Sequence, residues 1–291
     1  GQAGAGAIMD VLTGRVNPSG KLAETLPLTY EDTPAARYFP GKQQNVEYRE
    51  GLYIGYRYYE TAHVPVRYPF GYGLSYTTFA YSDLKADADK VTFTITNTGS
   101  RAGAEIVQVY AAKPDAQIFR PAQELKAFTK VWLEAGESKT VTLPLDDKAF
   151  RYFNVDTNRF EVEGGDWTVM IGASVADIKL SGTVSVQGTG AKSPYDRQKF
   201  SKYFSGDIKN ISDAEFEALL GRPIPDGHWS GTLDMNDAIC QLYYSKSGLA
   251  RFVYKIMSNM LNKSIGKGEP DLNITFIYNM PFRGIAKMAG G

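Results

Sequence analysis

The sequence contains few of the residues from which common catalytic sites are built. It has one cysteine, Cys240, so an intramolecular disulfide and a cysteine-ligated metal cluster are both excluded. Its only two histidines, His63 and His228, are far apart in the chain and do not show the close spacing of a zinc site. A Ser-His-Asp hydrolase is also disfavoured, because Gly73-Leu74-Ser75-Tyr76-Thr77 lacks the second glycine of a nucleophile elbow.

An excess of charge and long apolar runs are missing as well. Lys plus Arg equals Asp plus Glu at 32 residues each, so bulk electrostatics does not attract nucleic acid or an anionic membrane. No stretch approaches the roughly 18 uncharged apolar residues of a membrane-spanning helix, and no phosphate loop of the form GxxxxGK[ST] is present. The sequence therefore predicts no cofactor, no metal, no nucleic-acid partner and no membrane partner, and it leaves the oligomeric state open.

A sequence period of two dominates residues 80–187. Between Val91 and Ile95, apolar residues alternate with threonines, and Asn97-Thr98-Gly99-Ser100 then has the composition of a turn. Similar short runs recur with turn signals every ~8–12 residues, which predicts about seven strands. We therefore predict an immunoglobulin-like β-sandwich, with lone charges such as Glu105 on solvated sheet faces.

The first residues have a different pattern. Gln2 to Leu12 shows helical spacing of small and apolar residues, and a turn at Asn17-Pro18-Ser19-Gly20 leads into a strand-like run from Lys21 to Leu28. One helix and one strand cannot bury both of their faces. Residues 1–29 therefore resemble the last unit of an α/β layer whose remainder lies upstream, and we expect the chain to be a fragment.

Residues 191–291 form a predicted helical extension. Ser212 and Glu215 make a capping box before a short helix, and a further helix is predicted to start near Met280. The clearest helix has an apolar stripe, which fits a protein partner better than a membrane surface because cations are few. The stripe consists of Leu249, Phe252, Val253, Ile256, Met257, Met260 and Leu261.

Residues 30–79 are irregular and rich in aromatic residues, glycine and proline. Such rings either stack on sugars or cover a domain junction. The segment also contains one carboxylate pair, Glu47 and Glu50, while Glu161 and Glu163 form another pair that we expect on a solvated strand face. Neither pair establishes the two positioned carboxylates that glycoside hydrolysis requires.

Several motifs together resemble glycoside hydrolase family 3, the β-glucosidase and β-xylosidase group. Those similar to the end of its α/β-sandwich domain are Gly1-Gln2, Asp10-Val11-Leu12-Thr13-Gly14, Asn17-Pro18-Ser19-Gly20-Lys21-Leu22 and Thr25-Leu26-Pro27. Tyr48 to Tyr59 and Phe70 to Phe79 resemble the segment that leads into the family's fibronectin type III-like domain. The resemblance continues at Asn97-Thr98-Gly99, Gln108-Val109-Tyr110, Glu124-Leu125-Lys126, Phe216 to Gly221 and Met280 to Arg283.

The resemblance implies a mainly β chain with a fibronectin III/immunoglobulin-like β-sandwich, a partial α/β-sandwich remnant before it and a small helical extension after it. The implied boundaries are 1–29 for the end of the α/β-sandwich, 30–79 for an aromatic linker, 80–187 for the fibronectin type III-like domain and 191–291 for the extension. In this family the nucleophile is an Asp on an amino-terminal (β/α)8 barrel, and the acid/base is a Glu upstream of the matched stretch. No catalytic residue is therefore carried over to this chain.

Three functions stay open at this point. The first is a scaffold within an enzyme that retains anomeric configuration and removes non-reducing-end β-linked glucose or a similar sugar. In that case β-linked oligosaccharides or glucosides are bound by catalytic domains outside the chain, and Tyr48, Glu50, Arg57 and Tyr58 are candidate contacts at the substrate rim. The second is a non-enzymatic immunoglobulin-like module that binds carbohydrate or protein, and the third is an enzyme that uses Glu47 or Glu50.

Overall fold

Two compact units make up the chain in the computed structural model. One comprises Gly1–Phe39 and Glu47–Ile224, and the other comprises Pro40–Val46 and Pro225–Gly291. The described residues are 3–41, 45–146, 148–227, 232–288 and 290. Gln2, where the sequence predicts the first helix to begin, and His228 lie outside these residues.

The first unit is built on a β-sandwich. Its strands are β1 (Leu26–Pro27), β2 (Val66–Tyr68), β3 (Phe79–Ala86), β4 (Lys90–Asn97), β5 (Gly103–Ala112), β6 (Glu124–Leu133), β7 (Ser138–Pro144), β8 (Arg151–Asn154), β9 (Arg159–Val162), β10 (Gly165–Ser174) and β11 (Asp177–Val186). One sheet has the order β11-β10-β5-β6 and the other has the order β3-β4-β7, while β1-β2 and β8-β9 form separate pairs. Neighbouring strands are antiparallel throughout. The predicted mainly β fold is therefore confirmed.

The sandwich core follows from the two-residue period of its strands. Val91, Phe93 and Ile95 on β4 are completely buried between the sheets. The intervening threonines point outward, where the Thr92 hydroxyl lies 3.0 Å from the Thr142 hydroxyl on β7. Because alternate side chains of a strand face opposite sides, this alternation alone determines which face of β4 is apolar.

Asn97 ends β4 and fixes the turn that follows it. Its Oδ1 accepts hydrogen bonds from the Thr77 hydroxyl at 2.6 Å and from the Gly99 amide at 3.1 Å. Its Nδ2 donates to the carbonyl oxygens of Arg101 at 2.7 Å and Leu133 at 3.2 Å. The buried amide is thus fully satisfied, and it connects the segment before the sandwich to the β4-β5 loop and to the end of β6.

Helix α1 (Gly4–Leu12) forms where the sequence predicts a helix, but none of its residues is buried. Ile8, Met9 and Leu12 are all exposed. Among the described residues, α1 is therefore not packed into a core.

The strand predicted from Lys21 to Leu28 is wrong except at Leu26–Pro27, which pairs with β2. The earlier part lies against the sandwich, since Lys21 Nζ is 2.8 Å from Glu105 Oε1 and both side chains are largely buried. Glu105 is consequently not on a solvated face. Residues 21–22 cover that part of β5, which the alternation pattern of β5 itself could not show.

The described part of the first unit also contains three short α-helices, α2 (Tyr56–Thr61), α3 (Ser201–Ser205) and α4 (Asp213–Leu220), and 3-10 helices at Tyr30–Asp32 and Ile208–Asn210. Helix α4 confirms the predicted capping box, because the Ser212 hydroxyl accepts a hydrogen bond from the Glu215 amide at 3.2 Å. The helix ends at Gly221, whose φ of +72° lies in the left-handed region.

The second unit consists of helices α5 (Gly248–Ile265), α6 (Leu272–Tyr278) and α7 (Phe282–Met288), together with a 3-10 helix at Ile239–Tyr244. The long α5 and the final α7 confirm two helices predicted from the sequence. Tyr254 of α5 packs its ring against Tyr243 and Tyr278, at centroid distances of 5.2 and 6.3 Å. Among the described residues, no helix combines the length and apolar composition needed to cross a membrane.

Candidate functional site

The aromatic segment before the sandwich turns sharply twice. The Gly51 amide donates to the Tyr48 carbonyl at 3.2 Å, and the Tyr53 amide donates to the Glu50 carbonyl at 2.9 Å. Gly51 and Gly55 have φ values of +54° and +57°, a region that residues with a Cβ atom rarely adopt. Because α2 begins directly after Gly55, the two glycines determine which side chains of this segment point inward.

Arg49 is the best-connected of the inward side chains. Its Nε donates to Glu47 Oε2 at 2.7 Å, Nη2 lies 2.6 Å from Asp213 Oδ1, and Nη1 donates to the Ile211 carbonyl at 3.2 Å. Burial alone would lower the pKa of the guanidinium, but the hydrogen bonds to Asp213 and Glu47 outweigh that effect and raise the pKa. Arg49 therefore stays charged, and its planar group holds several acceptors at once.

Two aromatic rings enclose the same guanidinium. Its central carbon lies 4.4 Å from the ring centroid of Tyr38 and 5.2 Å from that of Phe216. A cation over a ring face is attracted by the ring quadrupole, more strongly when water is excluded. Arg49 thus joins the segment before the sandwich to residues 211–216 of the carboxy-terminal extension.

Two buried hydroxyl groups strengthen this connection. The Tyr53 hydroxyl donates to the Tyr203 carbonyl at 2.5 Å, and the Tyr203 hydroxyl donates to the Arg49 carbonyl at 2.8 Å. Burial raises the pKa of both phenols, so both stay protonated and act as donors. The hydrogen bonds run from one segment to the other in both directions.

The Tyr203→Phe substitution should lower the free energy of unfolding by about 1–2 kcal/mol, because the Arg49 carbonyl would lose its buried donor while the ring packing is kept. Chemical denaturation of both proteins measures the difference. Tyr76→Phe is the matched control, since its hydroxyl also donates to a backbone carbonyl, that of Val11 at 2.8 Å, but at an exposed position. Equal losses for the two variants would contradict the prediction.

A cluster of apolar and aromatic side chains surrounds these hydrogen bonds. Phe119, in the loop before β6, lies at its centre, with ring centroids 5.1 Å from Tyr203 and 4.5 Å from Tyr195. The buried members are Tyr53, Tyr58, Tyr59, Phe119, Phe200, Tyr203, Ile208, Ile211 and Phe216. They come from the aromatic segment, the sandwich and the extension, so the cluster is a core where three parts of the first unit meet.

The four candidate rim residues do not share one solvent-facing surface. Tyr58 is 2% exposed within the cluster, and Glu50 is 6% exposed with an Oε2 atom that has no hydrogen-bond partner among the described residues. Arg57 is partly exposed, with its Nε 3.6 Å from Glu124 Oε1. Tyr48 is 68% exposed. It is therefore the one member of the four whose ring is free to meet a ligand.

The carboxylate pair at the end of the β8-β9 hairpin is structural, contrary to the expected solvated face. Glu161 is buried, and hydrogen bonds from Thr189 and Arg159 lower its pKa to about 2. Glu163 accepts hydrogen bonds from Arg120 Nε at 3.1 Å and from the Gln117 amide. Within the described ranges, no group of three or more His, Cys, Asp or Glu side chains is arranged to hold a metal ion.

Comparison with known proteins accounts for this architecture. The glycosyl hydrolase family 3 C-terminal domain matches residues 1–76, and the fibronectin type III-like domain matches residues 105–175. The chain is 41% identical over 249 residues to thermostable β-glucosidase B of Acetivibrio thermocellus, an alignment that covers 82% of this chain and 32% of that enzyme. The chain matches the carboxy-terminal region of family 3 β-glucosidases.

Two further relatives agree with this family 3 match. The exo-α-(1→6)-L-arabinopyranosidase of Bifidobacterium breve is 46% identical over 67% of this chain and 26% of its own length. The structure of β-glucosidase 3B from Thermotoga neapolitana in complex with α-D-glucose is 49% identical, has a TM-score of 0.58, and covers 62% of this chain and 26% of its own. The chain thus spans about a third or less of the relatives it matches.

Arg49 and Tyr203, which connect several segments of this family 3 region, were not predicted from the sequence. Arg49 lies inside the Tyr48 to Tyr59 motif, but nothing next to it in the sequence indicates that its partners come from the extension. Its partner Asp213 does have a local signal, because it lies at the first position of the helix capped by Ser212. That signal predicts a helix and gives no information on what the helix contacts.

Proposed function

We propose that this chain is a non-catalytic carboxy-terminal part of a longer family 3 glycosidase, and that both catalytic carboxylates lie outside it. The observation that carries the proposal is the identity of 41% and 49% to two β-glucosidases, of whose own length the alignments cover only 32% and 26%. Two carboxylates within the chain also support the proposal, since Glu47 accepts a hydrogen bond from Arg49 and Glu50 is buried. Two carboxylates in distinct environments beside a sugar-sized space are what glycoside hydrolysis requires.

Exposed apolar surface on the first residues favours a structural role for this chain within a longer protein. Besides the exposed apolar side chains of α1, an open groove of about 450 Å³ runs beside β1 and β2. Its lining includes Leu22, Leu26, Tyr68, Tyr72 and Leu74. We propose that the rest of an α/β-sandwich domain covers this surface in the longer protein, with residues 1–29 as its last unit, 30–79 as the linker, 80–187 as the fibronectin type III-like domain and 191–291 as the extension.

The proposed activity of the longer protein is removal of a non-reducing-end β-linked glucose or a similar sugar with retention of configuration. The relatives support the reaction class more closely than the sugar, because one is named a β-glucosidase and another an arabinopyranosidase. Within the chain, Tyr48 is the proposed contact with the substrate rim. Arg49 and the aromatic cluster hold the backbone on either side of it.

The test of the non-catalytic assignment is turnover of a chromogenic β-glucoside by the purified chain. We expect a rate equal to that of the protein-free blank. The Glu47→Gln and Glu50→Gln variants serve as matched controls for contamination, because hydrolysis by a host enzyme would be the same in all three preparations. Hydrolysis by the parent chain that either substitution abolishes would overturn the proposal.

Isothermal titration calorimetry with β-linked glucose oligomers separates the scaffold from an independent carbohydrate-binding module. A scaffold that needs the other domains to form a sugar site should give no heat of binding beyond dilution. A module should bind through Tyr48, and Tyr48→Ala should then remove the binding. Saturable binding that depends on Tyr48 in the chain alone would favour the module.

A further inference from the structure

The turn after α1 lies directly on the fibronectin type III-like domain, and Asn17 makes the central contacts. Its Nδ2 donates to the Ala102 carbonyl in the β4-β5 loop at 3.1 Å. Its Oδ1 accepts hydrogen bonds from the Ser75 hydroxyl at 3.0 Å and from the Tyr76 amide at 2.8 Å, just before β3. One side chain therefore joins the turn to two separate parts of the sandwich.

The backbones at this interface approach more closely than residues with a Cβ atom would allow. A Cβ atom at Gly103 would lie 2.5 Å from Asn17 Nδ2, and one at Gly73 would lie 2.5 Å from the Gly20 carbonyl oxygen. Both distances are below the 3.0 Å that contacts of real Cβ atoms keep. Gly103 and Gly73 therefore permit direct contact between the two segments.

Two further contacts extend the interface on either side of Asn17. Before it in the chain, the Val11 carbonyl accepts a hydrogen bond from the Tyr76 hydroxyl at 2.8 Å. After it, Lys21 forms the largely buried ion pair with Glu105 on β5 at 2.8 Å. The segment is thus held at three points along its length, so a rotation about one of them would break the other two.

The chain that leads from this segment to the sandwich starts and ends at the same place. The Leu22 amide donates to the Tyr72 carbonyl at 2.8 Å, and the Gly71 amide donates to the Leu22 carbonyl, also at 2.8 Å. These two backbone hydrogen bonds hold the ends of residues 23–70 together. The length of that stretch therefore does not determine how far the segment and the sandwich lie from each other.

We infer that the α/β-sandwich domain and the fibronectin type III-like domain of the longer protein move as one rigid body, with Asn17 as the side chain that holds them together. The inference rests on the proposed assignment of residues 1–29 to the α/β-sandwich domain. Interfaces between domains of one chain usually permit relative motion. Here a hinge motion would have to break the Asn17 hydrogen bonds, the Lys21 ion pair and the Leu22 backbone pairing together. The fibronectin type III-like domain is therefore a fixed support.

Amide hydrogen exchange, measured by NMR on the whole chain, tests the role of Asn17. The reporters are the Leu22 and Gly71 amides, whose own hydrogen bonds do not involve Asn17. Asn17→Ala should speed their exchange about tenfold, because the interface then opens without breaking three of its hydrogen bonds. The amides of β4 and β5 should keep the parent rates, which shows that the sandwich stays folded. Arg15→Ala is the matched control with no expected effect, since the ion pair of Arg15 with Asp10 lies within the segment itself.

Double electron–electron resonance tests the rigidity of the interface. Nitroxide labels at Arg15→Cys and Thr140→Cys, both exposed positions, in a Cys240→Ser background should give one narrow distance distribution, which Asn17→Ala should broaden. A broad distribution without the Asn17 substitution would overturn the rigid body. Equal exchange rates in Asn17→Ala and Arg15→Ala would overturn the role of Asn17. Turnover of the β-glucoside does not involve this interface, so either result leaves the test of the non-catalytic assignment unaffected.

Discussion

Arg49→Ala should lower the free energy of unfolding of the first unit by roughly 2–4 kcal/mol, among the largest losses expected from one exchange outside the sandwich core. The substitution removes the Arg49 guanidinium from the largely buried Glu47 carboxylate and the side-chain donor from the Ile211 carbonyl. The bond to Asp213 adds little, since that carboxylate is exposed and screened by water. Most of the loss comes from groups that stay buried after their partner is removed.

Urea denaturation of the parent chain and three variants measures this loss. Arg49→Lys should lose an intermediate amount, because an ammonium group keeps the charge but cannot hold the same set of acceptors. Arg15→Ala is the matched control: Arg15 Nη1 lies 2.7 Å from Asp10 Oδ1 in an exposed ion pair, which should contribute less than about 1 kcal/mol. Equal unfolding midpoints for Arg49→Ala and Arg15→Ala would contradict the role given to Arg49.

The same substitution should also release the extension. Because the Arg49 side chain connects residues 211–216 to the aromatic segment, its loss allows this part to open locally while the sandwich stays folded. Limited proteolysis should then cut between residues 205 and 212 sooner than in the parent chain. Cleavage at the same rate in Arg49→Ala would show that the aromatic cluster holds the extension without the guanidinium.

Local patterns in the sequence were sufficient to predict most of the individual strands and helices. The alternation from Val91 to Ile95 predicted β4, the Ser212 and Glu215 pair predicted α4, and the apolar stripe predicted α5. Each of these signals reflects a preference of the backbone or a periodic apolar face within one short stretch. The motifs also sufficed to predict the match to family 3.

The contacts that assemble these elements had no such local signal. Helix α2 and strand β2 were hidden in a segment whose glycines and prolines indicate loops, because their stability comes from packing on the sandwich and the extension. Arg49 meets Asp213, and Tyr53 meets Tyr203, across more than half of the first unit's length. Buried pairings between residues so distant in the chain depend on the completed fold, and a single sequence records only the two partners.

For the same reason, the sequence could not show which of the candidate rim residues are exposed to solvent. Tyr48 and Tyr58 look alike in the sequence, yet the two glycines between them direct one ring to solvent and the other into the aromatic cluster. A count of aromatic residues cannot separate these two outcomes. The direction of each ring depends on the φ values at Gly51 and Gly55, which are a property of the folded chain.

Trp167→Ala should be the most damaging single substitution in the sandwich, with an expected loss of about 3–5 kcal/mol. Trp167 is 1% exposed, and its ring packs edge-on against Phe150 at a centroid distance of 5.1 Å and beneath the Arg120 guanidinium at 4.7 Å. Its indole Nε1 donates to the Glu163 carbonyl at 3.0 Å. Alanine would leave a large cavity between the sheets and an unpaired carbonyl, and a core packed at crystal density cannot close such a gap.

Differential scanning calorimetry measures the effect as a fall in the unfolding temperature of the first unit. At roughly 2–4 °C per kcal/mol for a unit of this size, Trp167→Ala should unfold about 10 °C below the parent chain. Trp132→Ala is the matched control, because it removes the same side chain from the outer face of β6, where the ring is 54% exposed. The control should shift the transition by only a few degrees, so similar shifts for both variants would mean that the space between the two sheets is not the principal core of this unit.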